Sequence, residues 1–486
     1  MPHAVIIGSG LSGLTSAVLL AEHGWQVTVL EAHAIAGGLM QRFRRGPFWF
    51  DTGFHFITGG APGGIFRKLA SRLGILEAMR FLPLDEARQF RFHLPSGSEF
   101  CMPAGIDQAE LALQAHWPEQ ASGIALFFAE LRGQLALNPW LGSLVAPGTA
   151  PGQHPHNQSV SETLDRCGIS ELLKDVLGSI TGILAMRAER CPLELFSAFG
   201  GTAITGSWRA EGGGEAIIKP LIERLKALGG DLLLKSAATR IHWSDKTVSA
   251  VEDAQGRIHA CDLAIASCHP AEILRLTGEG GMRPSLSERI RDTPDSASAV
   301  LVYAALSKPA EGLGSCHHFA RNAAGADLYF ISPSNFYPPG GHAPPPYLEA
   351  MLWVHPDQVA PWRDSAKGRR SDDYEAWKRA RETEILADVT ALHPALAGTI
   401  QRVWSATPLS IEYYVRSRHG AAMGLSHDIG AIGTEPIPRR NRLRNLCFAG
   451  QSIGHPGVVG CMISSVILVE SIIGKDLRSE ILAAKG

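Results

Sequence analysis

The sequence predicts an α/β fold, in which buried parallel strands alternate with helices. Three observations favour it. The first 31 residues contain a complete strand–helix–strand unit with a glycine-rich turn. Residues 444–473 contain a second strand, glycine-rich turn and helix. The length of 486 residues leaves room for two or three domains at about 150 residues each. We therefore expect one domain built from both ends of the chain, with inserted segments between them.

The N-terminal unit begins with Ala4-Val-Ile-Ile-Gly8, an apolar run typical of a parallel strand buried on both faces. The turn Gly8-Ser-Gly-Leu-Ser-Gly13 and a helix follow it, and a second strand, 26–30, ends at Glu31. Glycines in such a turn let a pyrophosphate approach the helix N-terminus, whose dipole favours anions. An acid at the end of the second strand can accept hydrogen bonds from ribose hydroxyls. The unit predicts a bound dinucleotide.

Other segments favour an elongated dinucleotide such as FAD over NAD. A second glycine pair, Gly37-Gly38, lies shortly after the ribose-binding acid, and Phe50-Asp-Thr-Gly-Phe-His-Phe56 follows. Near the far end, 444–452 and 455–460 lead into a helix that reaches Ile473. A second helix N-terminus there could point at the same ligand. No second GxGxxG is present, so no dedicated NAD(P)H site is predicted.

Composition excludes several other classes. The chain carries 45 Lys plus Arg against 47 Asp plus Glu, whereas a nucleic-acid binder would be strongly basic. Its eight cysteines show neither metal-ligand spacing nor CxxC, so we expect a reduced compartment and no metal. No signal or transit peptide is visible, and the apolar run 458–473 is too short and polar for a membrane span. We expect a cytoplasmic protein.

The chain resembles the FAD-dependent phytoene desaturase, carotenoid isomerase and retinol saturase superfamily. It is more distantly similar to flavin amine oxidases and to the Rab GDP-dissociation inhibitors. The resemblance is carried by 5–38, 50–58, 211–241, 407–424 and 448–465. It implies a Rossmann-type FAD-binding domain of the glutathione-reductase and amine-oxidase kind, with an inserted α+β substrate domain. It also implies bound FAD and a hydrophobic small-molecule substrate.

The resemblance also implies roles for individual residues. The glycine turn would cradle the pyrophosphate, Glu31 would hold the ribose, and His55 would lie near the isoalloxazine ring, where it is the one candidate catalytic side chain. Leu39 stands where many relatives have Arg, and Gln451 where many have an acid. The implied cofactor-binding residues are Gly8, Ser9, Gly10, Ser12, Gly13, Glu31, Ala32, Gly37, Gly38, Leu39, His55, Ala238, Gly450, Gln451, Val458 and Val459.

The two predicted domains are both discontinuous. The FAD-binding domain is expected to comprise 1–60, 210–298 and 405–486, and the substrate-binding domain, with a helical cap, 61–209 and 299–404. Within them the pattern predicts strands, helices and an exposed loop. The strands are 262–267, 299–306 and 348–354; the helical segments are 106–205, interrupted by the Pro/Gly-rich 146–157, and 371–393; the loop is 332–346.

The function predicted from the resemblance is hydride or electron exchange between FAD and a polyene or isoprenoid chain. Desaturation, cis–trans isomerisation and saturation of C=C bonds all remain open, and the electron donor or acceptor is not identified. One alternative is a flavin oxidase of a polar amine, for which aromatic residues and an acid should converge on the flavin. Another is a non-enzymatic lipid-binding protein on the same fold.

Three further features have a plain structural interpretation and a functional alternative. His317-His318 is expected to be a surface or strand pair, since no HExxH-type spacing predicts a zinc site. The basic clusters 42–45, 363–370 and 439–444 are expected to be solvated, with contact to anionic lipid headgroups at the membrane periphery as the alternative. The segment 177–199 is expected to be helical core, or else to line an apolar tunnel.

Overall fold

The computed structural model describes residues 1–82, 84–145, 158–322, 324–338, 343–429, 437–439 and 441–486. The strands within these residues are β1 His3–Ile7, β2 Gln26–Leu30, β3 Arg42–Arg45, β4 Phe48–Asp51, β5 Ile57–Thr58, β6 Phe81–Leu82, β7 Phe90–His93, β8 Glu99–Met102, β9 Ser207–Ala210, β10 Asp231–Leu233, β11 Ala238–Ser244, β12 Thr247–Asp253, β13 Ile258–Ala260, β14 Leu263–Ala266, β15 Ser298–Leu306, β16 His317–Arg321, β17 Asp327–Ile331, β18 Tyr347–Val354, β19 Ile400–Ala406 and β20 Leu446–Phe448.

The α-helices of the described residues are α1 Leu11–Glu22, α2 Ile65–Arg72, α3 Ile106–His116, α4 Ala121–Leu137, α5 Val160–Arg166, α6 Glu171–Ser179, α7 Leu193–Phe196, α8 Thr202–Thr205, α9 Glu215–Ala227, α10 Pro270–Thr277, α11 Pro284–Asp292, α12 Asp372–Leu392, α13 Pro408–Val415, α14 Gly457–Ile473 and α15 Leu477–Ala483. Short 3-10 turns join several of them, and a π-turn lies between α7 and α8.

A five-stranded parallel sheet forms the first layer, in the order β10-β2-β1-β14-β20. Its central strand β1 is apolar and buried, as a parallel strand covered on both faces must be. Helix α1 packs against α9 and α14. Because parallel strands point the same way, the carboxyl ends of β1, β2 and β14 meet at one edge, where ligands bind in such sheets. The α/β, Rossmann-type fold class is confirmed.

A seven-stranded sheet forms the second layer, in the order β19-β15-β18-β17-β16-β7-β8. Its neighbours are antiparallel except β16 and β7. Side chains alternate between its faces: Val300 and Val302 pack with Ile385 of α12, whereas Leu301 and Tyr303 face the main core. The second sheet therefore has one face closed by a helix and one face turned towards the parallel sheet.

Most predicted elements are present within a residue or a few of their expected bounds. The strands of the parallel sheet come from 1–60, 210–298 and 405–486, and those of the second sheet from the inserted segments. The domain boundaries themselves stay a prediction. The segment 146–157 and part of the loop 332–346 lie outside the described residues. All eight cysteines are free thiols. No helix in the described ranges is long and apolar enough to span a membrane.

Candidate active site: a cavity between the glycine turn and the second sheet

A cavity of about 300 Å³ opens at the carboxyl edge of the parallel sheet and continues over the second sheet. Gly8 and Gly10 of the first turn, Glu31 after β2 and Ser267 after β14 line one end. The other end is walled by β17, β18 and the segment around Gly182. One space therefore joins the predicted dinucleotide site to the inserted sheet.

The glycine turn is held by close backbone contacts that exclude side chains. A Cβ on Gly13 would lie 2.1 Å from the carbonyl oxygen of Gly8 and 2.7 Å from Ser267 Oγ. Ser267 Oγ in turn donates to the carbonyls of Ile7 and Gly8, each at 3.0 Å. Gly10, the residue before α1, caps the helix with no side chain, so the first N–H groups remain available to an anion.

Glu31 organises the same turn from the end of β2. Its carboxylate accepts hydrogen bonds from the backbone N–H of Ser9 at 3.0 Å, from Ser9 Oγ at 2.5 Å and from the N–H of His33 at 2.8 Å. Glu31 also lines the cavity. The acid therefore fixes the turn while it leaves a negative edge towards the cavity, which suits the hydroxyl donors of a ribose.

A second set of glycines keeps the wall beside the first turn free of side chains. Gly37 donates its N–H to the carbonyl of Ser9 at 3.1 Å, and its φ of 119° is one that L side chains rarely adopt. Gly450, with a φ of 115°, begins the turn after β20. The cradle is narrow, lined by backbone and open at a helix N-terminus, so its residues fit the pyrophosphate and ribose of FAD.

Of the residues predicted to bind the cofactor, Ser9, Gly13 and Val459 do not line the cavity. Ser9 is fully buried beneath the turn, Gly13 packs against Gly8, and Val459 points into the apolar core. These three residues support the wall in this structure, and contact with the cofactor stays a prediction for all the residues named. The predicted residues that do line it are Gly8, Gly10, Ser12, Glu31, Ala32, Gly37, Gly38, Leu39, His55, Ala238, Gly450, Gln451 and Val458.

His55 lies where the two ends of the cavity meet. Its ring centroid is 5.2 Å from that of Tyr329 on β17, and its Nδ1 is 3.5 Å from Glu349 Oε2 on β18. Among the described residues, neither ring nitrogen of His55 has a hydrogen-bond partner, although both are buried. A buried imidazole with two unbonded nitrogens is suited to exchange a proton with a ligand. Its predicted catalytic role is consistent with this position and stays a prediction.

A buried charged cluster lies next to His55 and holds its backbone. Arg209 on β9 donates to Asp51 Oδ2 at 3.2 Å and to the carbonyl oxygen of His55 at 2.6 Å. Asp51 Oδ1 accepts the N–H of Gly214 at 2.9 Å. Burial raises the pKa of Asp51 to about 6, even though the Arg209 guanidinium opposes the rise. Arg209, Asp51 and Glu349 together fix the backbone and the surroundings of the imidazole.

Sequence reasoning missed most of this cluster. Asp51 lies in the recognised 50–56 segment, but its partner Arg209 is 158 residues away, and Glu349 is 298 residues from Asp51. One signal was available. Glu349 is a charged residue inside the apolar predicted strand 348–354, and it is only 2% exposed. A charge at such a position needs a buried partner, which is a reason to look for one.

The basic clusters and the histidine pair differ in part from what was expected. Arg42 is not solvated, because it donates to the carbonyl of Gly212 at 3.1 Å and lies 3.6 Å from Asp51. His317 and His318 are a strand pair, but neither is at the surface. His318 is grouped with His93 and His393, with ligand-capable atoms within 4.8 Å of one another. No sequence spacing links these three residues, so the group could not be foreseen.

The sequence profile of one family, described as flavin containing amine oxidoreductase, matches residues 11–465. The chain belongs to this family. It is an FAD-dependent oxidoreductase, and its predicted relationship to the carotenoid and retinoid superfamily is confirmed by the relatives that follow.

Curated relatives fall into full-length and partial matches. The chain is 23% identical to the all-trans-retinol 13,14-reductase of Macaca fascicularis, over 98% of this chain and 86% of the relative. It is 20% identical to the inactive all-trans-retinol 13,14-reductase of Danio rerio, over 98% and 87%. The all-trans-zeta-carotene desaturase of Myxococcus xanthus is 33% identical, but only over 25% of this flavoprotein and 23% of the relative.

A solved oxidoreductase from Methanosarcina mazei has the same fold. It superposes with a TM-score of 0.69 at 18% identity and covers 97% of this flavoprotein and 100% of the other chain. The identity is too low to carry more than the architecture, which agrees with the parallel sheet and inserted sheet described above.

Proposed function

We propose that this FAD-dependent oxidoreductase acts on the conjugated C=C bonds of a hydrophobic retinoid- or carotenoid-like polyene, and that it saturates one of them. The curated relatives that match over nearly the whole chain are named for reduction of a retinol double bond. Those named for isomerisation or desaturation of carotenoids match about a quarter of it. The full-length matches therefore favour saturation over the two other reactions.

The observation that carries the proposal is the apolar wall of the cavity beyond the glycine turn. Away from the glycine turn the cavity is lined by aliphatic and aromatic side chains, among them Ile183, Phe199, Phe319, Leu301 and Met351. An unsubstituted polyene offers no hydrogen bonds, so a site for it must rely on shape and apolar contact. This lining, continuous with the cofactor cradle, is what such a substrate needs.

Saturation requires a hydride at one carbon and a proton at the other. Bound FAD, once reduced by an external donor, supplies the hydride chemistry. We assign the proton to His55, whose buried ring nitrogens have no hydrogen-bond partner among the described residues and whose Nδ1 lies 3.5 Å from the Glu349 carboxylate. Arg209 holds the main-chain carbonyl of His55 and thereby keeps its backbone in position. His55 is thus proposed as the proton donor, with Glu349 and Arg209 as positioning residues.

The direct test is product analysis with FAD-loaded, chemically reduced protein under anaerobic conditions. Incubation with all-trans-retinol should yield a product heavier by two hydrogens, with loss of one double bond from the absorption spectrum. An isomer of unchanged mass would show that the reaction is isomerisation and not saturation. A product lighter by two hydrogens, formed from the oxidised flavoprotein, would show that it is desaturation. The test is necessary because an inactive relative matches over the same length.

A second candidate function is oxidation of an amine. It is favoured by one observation: the carboxyl of Asp327 lies on the cavity wall together with the aromatic rings of Trp353 and Tyr329. An amine oxidase should release peroxide in air when given simple aliphatic amines, and peroxide production would favour this candidate. A protein that takes up no FAD, even after reconstitution, would favour the non-enzymatic lipid-binding alternative.

We also propose that the protein is cytoplasmic and contacts membranes peripherally to take up its substrate. Arg44, Arg45 and the ring of Trp49 are exposed together on the β3–β4 hairpin. Basic and aromatic residues of this kind attach to anionic lipid headgroups, and salt screens that attraction. Binding to anionic liposomes should weaken in high salt and on replacing both arginines. Binding that is absent or indifferent to salt would contradict this contact.

A further inference from the structure

One face of the second sheet divides into three rows of side chains, and residues of the middle and far rows line the cavity. The near row contains Tyr303, Glu349 and Ile331 and lies towards His55. The middle row contains Leu301, Met351, Tyr329 and Phe319, and the far row Ala299, Trp353, Asp327 and Arg321. Two residues along a strand span roughly 6.5 Å, so the near and far rows are about 13 Å apart. A polar far row is thus separated from His55 by an apolar middle row.

Two polar groups of the far row converge on one point of the cavity wall. If Gly182 carried a Cβ, that atom would lie 3.5 Å from Trp353 Nε1 and 3.8 Å from Asp327 Oδ2. The absence of a side chain on Gly182 therefore keeps open the space that both groups face. All three residues line the cavity.

Neither side chain is hydrogen-bonded to another described residue, and one of the atoms concerned, Asp327 Oδ1, is buried. Asp327 Oδ1 is buried without a hydrogen-bond partner, and its nearest cation, Arg321 Nε, is 3.9 Å away. Arg321 itself is engaged by Asp175 at 3.1 Å. Trp353 Nε1 donates no hydrogen bond to any residue that the structure describes. Unsatisfied donors and acceptors on a cavity wall indicate a polar ligand group.

We propose that Trp353 and Asp327 bind a terminal hydroxyl group of the polyene substrate, an inference that rests on the proposed function. A hydroxyl is both donor and acceptor, so its oxygen can accept from Trp353 Nε1 while its proton goes to the Asp327 carboxyl. The conjugated chain then runs over the middle row towards His55. A hydrocarbon end would leave both groups unpaired, which costs about tenfold or more in affinity.

The surroundings of Asp327 favour a neutral hydroxyl over a charged end. Burial raises the pKa of Asp327, while the positive charges of Arg321 and Arg187 nearby are offset by Asp175 and Glu189. An ammonium group would thus meet a carboxyl that is reluctant to ionise. A carboxylate end would meet the lone pairs of Asp327. On its other side Asp327 borders a separate, polar pocket that contains Lys174 and Glu189, so the hydroxyl end lies near water.

The test compares two polyenes with FAD-loaded full-length protein. The two polyenes have the same conjugated length. One is all-trans-retinol, which ends in a hydroxyl group, and the other ends in a methyl group. Binding is measured from the change in polyene absorbance, and turnover from kcat/KM. We expect the wild-type protein to prefer the hydroxyl end by at least about tenfold.

Three variants sharpen the comparison. Trp353→Phe keeps the ring and removes the N–H, and Asp327→Leu removes the carboxyl. Each should reduce the preference to about twofold while binding of the methyl-terminated polyene is kept, which also shows that the variant is folded. Asp327→Asn retains an amide oxygen and should restore part of the preference. Trp404→Phe, at a tryptophan that does not line the cavity, should leave the preference unchanged.

The outcomes separate the two proposals. Equal affinity of the wild-type protein for both polyenes, or an unchanged preference in Trp353→Phe, would overturn the hydroxyl site and leave the proposed function standing. Tighter binding of a polyene amine than of the alcohol would also overturn it. Failure to bind or convert any polyene would overturn the hydroxyl site and the proposed function together.

Discussion

The two ends of the cavity are built on different principles. At the glycine turn, backbone groups line the cavity, and their positions follow from contacts among the first 37 residues and with Ser267. At the second sheet, side chains line the cavity, and Asp51, Arg209 and Glu349, which do not line it themselves, meet around His55 from segments far apart in sequence. In the sequence, a cradle made of backbone groups is marked by a local motif. A side-chain cluster is marked only by isolated polar residues within apolar segments. We propose that the first end holds the cofactor and that the second end determines which substrate binds.

The largest effect is expected from Gly13→Ala in the turn. The added Cβ would lie 2.1 Å from the Gly8 carbonyl, so the turn must move, FAD uptake should be lost and the free energy of unfolding should fall by several kcal/mol. Alanine favours helix over glycine by about 1 kcal/mol, so the loss would report the close contact and not helix propensity. Gly10→Ala is the control, because its Cβ meets open space, and should change stability by less than about 1 kcal/mol. A Gly13→Ala protein with normal FAD content would refute the packed-turn description.

Arg209→Leu tests the buried charged cluster at the second-sheet end of the cavity. Removing one partner of a buried ion pair should cost about 3–5 kcal/mol of unfolding free energy, measured by urea denaturation. The loss should be larger at pH 8 than at pH 5, because burial already raises the pKa of Asp51 to about 6 and loss of the cation raises it further. A carboxyl whose folded pKa exceeds its unfolded pKa destabilises the protein as the pH rises from the unfolded value to the folded one. The control is Arg88→Leu, at an exposed pair with Asp85, which should cost less than about 1 kcal/mol. A similar loss of unfolding free energy in both variants would show that the buried pair contributes no more than an exposed one.

His55→Gln separates catalysis from binding at the junction of the two ends. Loss of a proton donor should lower kcat by about 100-fold or more, while FAD content and polyene affinity stay as in the wild-type protein. Glu349→Gln should act in the same direction and shift the pH profile of kcat. His242→Gln, whose ring pairs with Glu252 outside the cavity, is the matched control. Unchanged kcat in His55→Gln would remove His55 from the mechanism.

The smallest effect is expected at Asp253, a buried carboxylate with a structural role. It accepts hydrogen bonds from Arg257, His259 and the N–H of Gln255, which lower its pKa to about 2. A lowered folded pKa stabilises the protein above the unfolded value of about 3.8, and this contribution is lost as the pH falls towards 2. Asp253→Asn should therefore cost about 1–2 kcal/mol at pH 7 and less at pH 3. A cost that grows on acidification would show that Asp253 is perturbed as Asp51 is.

The sequence allowed prediction of the parallel sheet, the turn and the cofactor because their determinants are local. Strand β2 has the predicted bounds, Gln26–Leu30, and the 50–56 segment led correctly to the cavity through His55. Helix α1 begins at Leu11 and not after Gly13 as expected, because the last residues of the predicted glycine turn form its first turn.

The charged cluster and the hydroxyl site could not be predicted in the same way. Asp327 and Trp353 become neighbours only through the pairing of β17 with β18, and Gly182 faces them from a different segment. Strand register is fixed by the burial of whole faces and not by any short motif. The sequence alone shows these residues as an acid and a tryptophan at the ends of two strands.

The most direct measurement is an anaerobic titration of the reduced, FAD-loaded protein with all-trans-retinol, followed in the visible absorption of the flavin. If the cavity brings a polyene to the cofactor, the oxidised flavin band should return in proportion to the retinol added, and more slowly in His55→Gln. A flavin that stays reduced, with retinol recovered unchanged, would contradict the saturation of a polyene at this site.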